Sequence, residues 1–302
     1  ISPFSIMQTG TPIRRRLYGI PHPLKTGCPL PLKSMDLIRR LFSGSSKPAL
    51  PAAKLETFTI QYPNGKTPIA VRTPRNADPE LVVEALHLTR PVPTIFISGG
   101  AGGMDMSSQN MTRTTIEDGL SRFLQEHGIS LIDGGTSTGV MSLIGLARQR
   151  RNYTFPLIGI APEHLVYYPN HSPKQRLADL DAFHSHFVLT EGEEFGAESA
   201  MILGVARALS GKGAKKLLGF VINGGEIVRK EIHRVSTEHP EIPLLVLEGS
   251  GRFADELSAA KKSGTSTDPQ IREILREGNL HFISIKAGAD TLRRWLEAYF
   301  GY

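Results

Sequence analysis

Ile129-Ser130-Leu131-Ile132-Asp133-Gly134-Gly135-Thr136-Ser137-Thr138-Gly139-Val140-Met141 runs from an apolar stretch through paired glycines into a helix-starting sequence. The pattern reads as strand, phosphate-sized loop and helix. Ile129, Leu131 and Ile132 supply the strand, and Asp133 marks where the chain leaves the core. Gly134 and Gly135 permit φ > 0 and let the backbone approach a ligand with no Cβ in the way. Thr136 to Thr138 offer hydroxyls and an N-cap, while Val140, Leu143, Ile144 and Ala147 recur at helical spacing. Open N–H groups and roughly half a positive charge at that helix N-terminus suit a phosphate. Paired glycines after a strand are equally plain turn chemistry, so the weight falls on repetition. Phe96-Ile97-Ser98-Gly99-Gly100, Val221-Ile222-Asn223-Gly224-Gly225 and Val246-Leu247-Glu248-Gly249-Ser250-Gly251 are also apolar runs that break into small residues. Strands that all open onto glycine at one end describe the rim of a binding crevice.

Outward from that stretch, strand and helix patterns alternate. Thr94–Ser98, Ile129–Asp133, Leu157–Ile160, Phe187–Leu189, Leu217–Ile222, Leu244–Leu247 and His281–Ile285 read as strands, most of them followed by a helical pattern. Such alternation predicts an α/β fold with a mainly parallel sheet covered by helices on both faces, and ligands at the carboxyl ends of its strands. Before it, Phe58, Ile60 and Tyr62 alternate up to Pro63-Asn64-Gly65-Lys66, and Ile69 and Val71 follow, which predicts a β-hairpin over Leu55–Arg72. Asp78-Pro79-Glu80 starts a helix that Pro91 and Pro93 stop. The segment containing Tyr167-Tyr168-Pro169-Asn170-His171-Ser172-Pro173 reads as a loop over the crevice.

At 302 residues the chain buries a core without staples. Its single cysteine, Cys28, excludes an internal disulfide, and no Cys/His group has zinc-ligand spacing. The net charge of +6 suggests nucleic acid until its distribution is read. Residues 1–54 hold nine Lys or Arg against the single acid Asp36, leaving 26 basic and 28 acidic residues beyond them. The remainder therefore has no charge-based claim on nucleic acid. Residues 1–54 read as a basic, Pro/Ser-rich, poorly ordered tail preceding one domain over 55–302. Their composition also suits an organelle transit peptide, or Met35 is nearer the native start. No apolar run approaches the ~20 residues that span a bilayer, and a cytoplasmic location is expected.

Several constellations bear on chemistry. Gly135-Thr136-Ser137-Thr138-Gly139 fits the nucleophile elbow G-x-S-x-G, with Asp255 and His281 following in hydrolase order, so a serine hydrolase using Ser137 is one alternative. The glycines fit neither G-x-G-x-x-G on the first strand nor G-x-x-x-x-G-K-[ST]. Gly249-Ser250-Gly251-Arg252 places an arginine at a helix start, where its planar fork suits a phosphate or a base. Glu198 follows Phe195-Gly196-Ala197 and suits a ribose hydroxyl or general acid/base work, whereas Glu191, Glu193 and Glu194 read as a solvated loop. His184 and His186 read as packed or hydrogen-bonded histidines rather than metal ligands. Tyr167 and Tyr168 suit base stacking or loop packing equally.

Taken together, Thr94–Met106, Leu131–Met141, Pro156–Pro162, His184–Ser199, Phe220–Gly225 and Pro243–Leu257 resemble, in order, the N-terminal homology region of melastatin-type transient receptor potential channels. That region and its free-standing prokaryotic relatives form the LSDAT branch of the SLOG superfamily, distantly related to the Smf/DprA proteins and the LOG phosphoribohydrolases. The likeness covers roughly Thr94 to Ile285. It implies a Rossmann-like nucleotide sensor for ADP-ribose, NAD or a related nucleotide, more a binding domain than an enzyme. Gly134, Gly135, Thr136, Thr138 and Gly139 match the family's glycine-threonine loop, Gly249 to Arg252 its second ligand loop, and Glu198 its acid. Gly99, Gly100, Gly224 and Gly225 complete the expected ligand set, with no metal and no other cofactor. Three positions depart from the pattern. Ser137 stands where the channel relatives usually carry His. Their Gly-Gly-Pro-Gly-Thr turn is Gly224-Gly225-Glu226-Ile227-Val228 here, and the LOG signature PGGxGTxxE is absent as a whole. The alternative within the fold is hydrolysis of an N-glycosidic or phosphoribosyl bond with Glu198 as acid/base. With no channel after Tyr302, output is expected through a homo-oligomer or a separate effector.

Overall fold

The computed structural model of the chain describes residues 55–100 and 106–302. Expectations for residues 1–54 lie outside these.

The hairpin forms as β1 (Glu56–Thr59) and β2 (Ile69–Thr73), antiparallel with Thr59 opposite Ile69. Its turn closes through Gly65 N–H to Tyr62 O and Tyr62 N–H to Lys66 O, both 3.0 Å. β2 also pairs in parallel with β8 (His186–Thr190), so the hairpin is an edge of the main sheet rather than a separate preface. After α1 (Pro79–Ala85), capped by the Asp78 carboxylate on Glu80 N–H at 3.0 Å, come β3 (Thr94–Gly99), α2 (Met106–Thr114) and a π-helical stretch at Thr115–Ser121. α3 (Arg122–His127) continues that helix to the left-handed Gly128. Then follow β4 (Ser130–Asp133), α4 (Gly139–Arg150) and β5 (Leu157–Pro162). The expected loop contains two short strands, β6 (Val166–Tyr167) and β7 (Ala178–Asp179), which pair with each other. Beyond β8 lie α5 (Ser199–Ser210), β9 (Leu217–Ile222), α6 (Glu226–Glu238), β10 (Leu244–Glu248) and α7 (Arg252–Ser263). α8 (Pro269–Glu277), β11 (Leu280–Ser284) and α9 (Ala289–Phe300) complete the domain.

The nine-stranded sheet has the order β1-β2-β8-β5-β4-β3-β9-β10-β11, parallel throughout except at β1. Because side chains alternate along each strand, both faces are apolar. Phe96, Ile132, Ile158, Val188, Val221 and Val246 pack under α1, α5, α6, α7 and α8. Ile95, Ile97, Leu131, Phe220, Leu245 and Leu247 pack under the π-helical stretch, α3, α4 and α9. Each fully buried Leu or Phe here contributes about 1.5–3 kcal/mol, and these two layers fix the sheet rigidly enough to position loops at its end. A third cluster, including Ile60, Tyr168, Leu180 and Phe187, binds the hairpin to the 163–185 segment. This is the Rossmann-like α/β architecture expected from the alternation of elements.

Candidate functional site

β3 marks the reversal of strand order in the sheet: β4, β5, β8, β2 and β1 lie on one side of it, whereas β9, β10 and β11 lie on the other. Connections leaving β3 and β9 therefore diverge, and a crevice opens at their carboxyl ends. The two backbones come close there, since a Cβ built on Gly100 would lie 3.1 Å from Gly224 Cα. A cavity of about 520 Å³ occupies the crevice, within the roughly 300–1,000 Å³ typical of ligand pockets. Its walls are Gly99 and Gly100 after β3, Gly134, Thr136, Thr138 and Met141 around the start of α4, and Leu177 and Ala178 from the 163–185 segment. Phe195, Glu198 and Ile202 close another side, with Gly225 to Val228 and Glu231 from α6 and Arg252 from α7. A larger groove of about 690 Å³ lies at the amino ends of the strands, lined by Lys212 to Leu217, Pro243 and Tyr299. It contains none of the sequence-derived site residues, and strand topology favours the carboxyl-end crevice.

The Gly134–Gly139 loop is held from beneath. Gly135 has φ +66°, and a Cβ there would lie 2.8 Å from Gly159 Cα on β5. Its glycine thus answers a close approach of backbone to backbone, and Gly135 itself does not line the cavity. Gly135 N–H donates to Asp133 Oδ1 at 2.7 Å, and Gly135 O accepts from Asp181 N–H at 2.9 Å. His184 sits between the same two carboxylates, with Nε2 2.8 Å from Asp133 Oδ1 and Nδ1 2.8 Å from Asp181 Oδ2. Burial alone would lower the pKa of His184, but Asp133 and Asp181 outweigh it and raise the value to about 9, so the ring is an imidazolium at neutral pH. Above this buried charge network, Thr136 and Thr138 share a hydroxyl hydrogen bond at 2.9 Å. Thr138 is the N-cap of α4, yet no side chain caps the helix, which leaves its first N–H groups facing the crevice end.

Arg252 is the first residue of α7 and adopts φ +48°. Its guanidinium lies over Gly225, where a Cβ would collide with it. Among the described residues no carboxylate comes within ion-pair distance of it. The neighbouring turn is internally engaged: Gly249 N–H and Gly251 N–H donate to Asp255 at 2.6 and 3.2 Å. The buried Ser250 hydroxyl accepts from Asn223 N–H at 2.8 Å and donates to Leu247 O at 2.6 Å. Gly249, Ser250 and Gly251 therefore shape the turn that presents Arg252, and they do not line the cavity; neither do Gly139 and Gly224.

Glu198 is 6 % exposed and forms part of the cavity wall. One of its oxygens accepts Gly196 N–H at 2.8 Å. Burial pushes its pKa up to about 7 against the stabilising backbone N–H groups, and Glu231 adds to the rise. Glu231 escaped the sequence reading. It projects from the middle of α6 into the same cavity, accepting from the Ser199 hydroxyl at 2.5 Å and from the Ser98 hydroxyl, and burial raises its pKa too. A signal for it existed: Glu231 stands six residues after Gly225, the spacing of the terminal Glu in PGGxGTxxE, although the rest of that signature is missing.

The remaining sequence candidates are placed elsewhere. Ser137 donates its N–H to Asp179 O at 2.8 Å outside the cavity. Asp255 caps the Gly249–Gly251 turn and the His281 ring packs 5.4 Å from Trp295, so the three members of a hydrolase triad are not assembled. The serine-hydrolase alternative is thereby corrected, because G-x-S-x-G arises from a loop whose small residues serve backbone packing. His184 precedes β8, and His186 opens it with Nδ1 2.9 Å from the Ser185 hydroxyl, each histidine having its own partner. No His/Cys/Asp/Glu group suited to a metal ion occurs among the described residues. Tyr168 is 4 % exposed, stacks on His171 at 4.5 Å and donates to Glu163 at 2.6 Å, while Tyr167 lies under Arg176. Neither is free to stack on a ligand base; that segment contributes Leu177 and Ala178 instead.

A doubly wound parallel sheet with its cavity at the strand-order reversal defines the chain as a Rossmann-like α/β domain. Residues 92–293 match the family described as SLOG in TRPM, prokaryote, and the chain belongs to that family. It is also similar to transient receptor potential cation channel trpm of Drosophila melanogaster, 27 % identical over 255 residues covering 72 % of this chain and 12 % of the channel. Subfamily M member 1 of Mus musculus is 28 % identical over 211 residues, covering 60 % and 13 %. Subfamily M member 7 of Homo sapiens is 24 % identical over 223 residues, covering 64 % and 12 %. The match thus spans about an eighth of each channel. No helix among the described residues is long and apolar enough to cross a membrane.

Proposed function

We propose that the carboxyl-end cavity binds a nucleotide carrying a diphosphate-ribose, such as ADP-ribose or NAD, and that the domain serves as a ligand sensor. The observation that carries this reading is Arg252, a guanidinium without a carboxylate partner among the described residues. It rests on Gly225 at a cavity whose walls also hold Gly134, Thr136 and Thr138. Phosphate oxygens on Arg252 and the uncapped start of α4 supply charge-assisted hydrogen bonds. Leu177, Phe195 and Ile227 offer apolar surface for a base, and Glu198 an acceptor for ribose hydroxyls. Membership of a family related to transient receptor potential channels is in keeping with a sensor.

Glu231 favours a second reading, hydrolysis of an N-glycosidic bond, because two acids beside one cavity provide an acid/base pair. The same experiment tests both. The purified protein is melted with ADP-ribose, NAD, AMP and cyclic ADP-ribose, and the mixtures are chromatographed for products. Ligand at about a hundred times its dissociation constant stabilises by roughly 2.7 kcal/mol, and Arg252→Ala removes that shift. A shift without products supports the sensor, products support the enzyme, and no shift with any nucleotide refutes the site.

A further inference from the structure

The 690 Å³ groove at the amino ends of the strands is positively charged. Arg207, Lys212, Lys215 and Lys216 line it against one side-chain carboxylate, Glu241, with apolar surface from Leu217 and Ile242. Glu241 engages Arg207 at 3.6 Å, and Glu80 engages Lys212 at 3.2 Å. Lys216 donates to Tyr299 O and lies 5.2 Å from the centre of that ring. Neither Lys215 nor Lys216 has a carboxylate within ion-pair distance among the described residues, and both are exposed. The opposite charge stands beyond the other end of α5. Glu191, Glu193 and Glu194, between β8 and α5, are exposed and form no ion pair with a described residue. The dipole of α5 does not account for either group, because its influence fades within the first and last turn. Glu194 lies five residues before Ser199, and Lys215 five residues after Ser210. At ~1.5 Å per residue α5 holds the two groups about 18 Å apart, at opposite ends of the sheet, so they do not meet within one chain. Residues 1–54, with nine Lys or Arg against Asp36, share the sign of the groove and are repelled by it.

We infer that the groove receives the 191–194 loop of a second copy, so that chains associate head to tail through Lys215 and Lys216 on one copy and the acidic loop of the next. The contact is heterologous: each copy offers one surface and uses the other, which builds a ring where the rotation closes and a filament where it does not. Phe195 and Glu198, which continue from the same loop, line the carboxyl-end cavity, so each junction places a neighbouring chain beside that cavity. The inference does not depend on what the cavity holds.

Sedimentation velocity of the full chain over a concentration series tests it. The mass is expected to rise with concentration at about 50 mM salt, and the association constant to fall on the order of tenfold at about 500 mM, as exposed pairs are screened. Lys215→Gln with Lys216→Gln neutralises the groove, and Glu193→Gln with Glu194→Gln neutralises the loop. All four positions are exposed, circular dichroism checks that both double variants are folded, and each is expected to be monomeric alone. Mixed in equal amounts they restore one junction per pair and are expected to form a 1:1 dimer that grows no further, the signature of a head-to-tail contact. Monomer at every concentration and salt overturns the inference, as does an oligomer that survives either double variant. Association that both variants abolish and mixing does not restore overturns the head-to-tail arrangement.

Discussion

Replacing His184 by Gln removes the positive charge that separates Asp133 from Asp181, both buried. Deleting one member of a buried ion pair costs about 3–5 kcal/mol because the remaining charge is left uncompensated, against a total stability of about 5–15 kcal/mol for a domain. Linkage gives a second route to the magnitude. The folded pKa of about 9 against an unfolded value near 6.5 corresponds to about 3 kcal/mol at ~1.36 kcal/mol per unit. Since the folded value is the higher, this contribution is present in full below pH ~6.5 and is lost as pH rises through about 9. Urea unfolding of the native protein should therefore weaken progressively between pH 6.5 and 9, and His184→Gln should abolish that slope and lower the midpoint at pH 6. Because Asp133 and Asp181 also hold the Gly135 N–H and C=O, the variant should weaken the proposed nucleotide binding beside the adjoining Thr136. Parallel pH profiles for the two proteins would refute the charged-histidine account.

Glu198 titrates in a different window and with a cost rather than a gain. Its folded pKa of about 7 lies above the unfolded ~4.5, so stability falls as pH rises between them, and Glu198→Gln should stabilise the ligand-free protein at pH 8 by about 1–2 kcal/mol. An unchanged melting temperature at pH 8 would count against the buried-acid assignment. Gly135→Ala combines a left-handed φ with a Cβ 2.8 Å from Gly159 Cα; it should cost more than the ~1–2 kcal/mol of the conformation alone, read by chemical denaturation. Asp78→Ala removes the cap on Glu80 N–H and should cost about 1 kcal/mol without altering ligand affinity, a control for effects remote from the crevice.

The alternation of elements was legible because hydrophobic period is a local property. Runs such as Leu217–Ile222 and the 3.6-residue spacing of Val140, Ile144 and Ala147 declare strand and helix with no knowledge of their neighbours. Caps at Asp78 and Asp268, each followed by proline, are equally local. Gly99, Gly100, Gly134 and Gly225 stand at the end of the sheet where the cavity opens.

Which of those glycines meet the cavity was decided by tertiary structure alone. Gly135 packs on Gly159, and Ser250 bridges Asn223 and Leu247, contacts set by which strands lie side by side. Glu231 joins Glu198 only because β9 returns beside β3, bringing α6 over the same crevice that α5 borders. The burial that raises both carboxyl pKa values exists only once those helices cover it. Sequence spacing fixes neighbours within one helix or strand, whereas strand order fixes neighbours a hundred residues apart, and the chemistry of this cavity comes from the second kind.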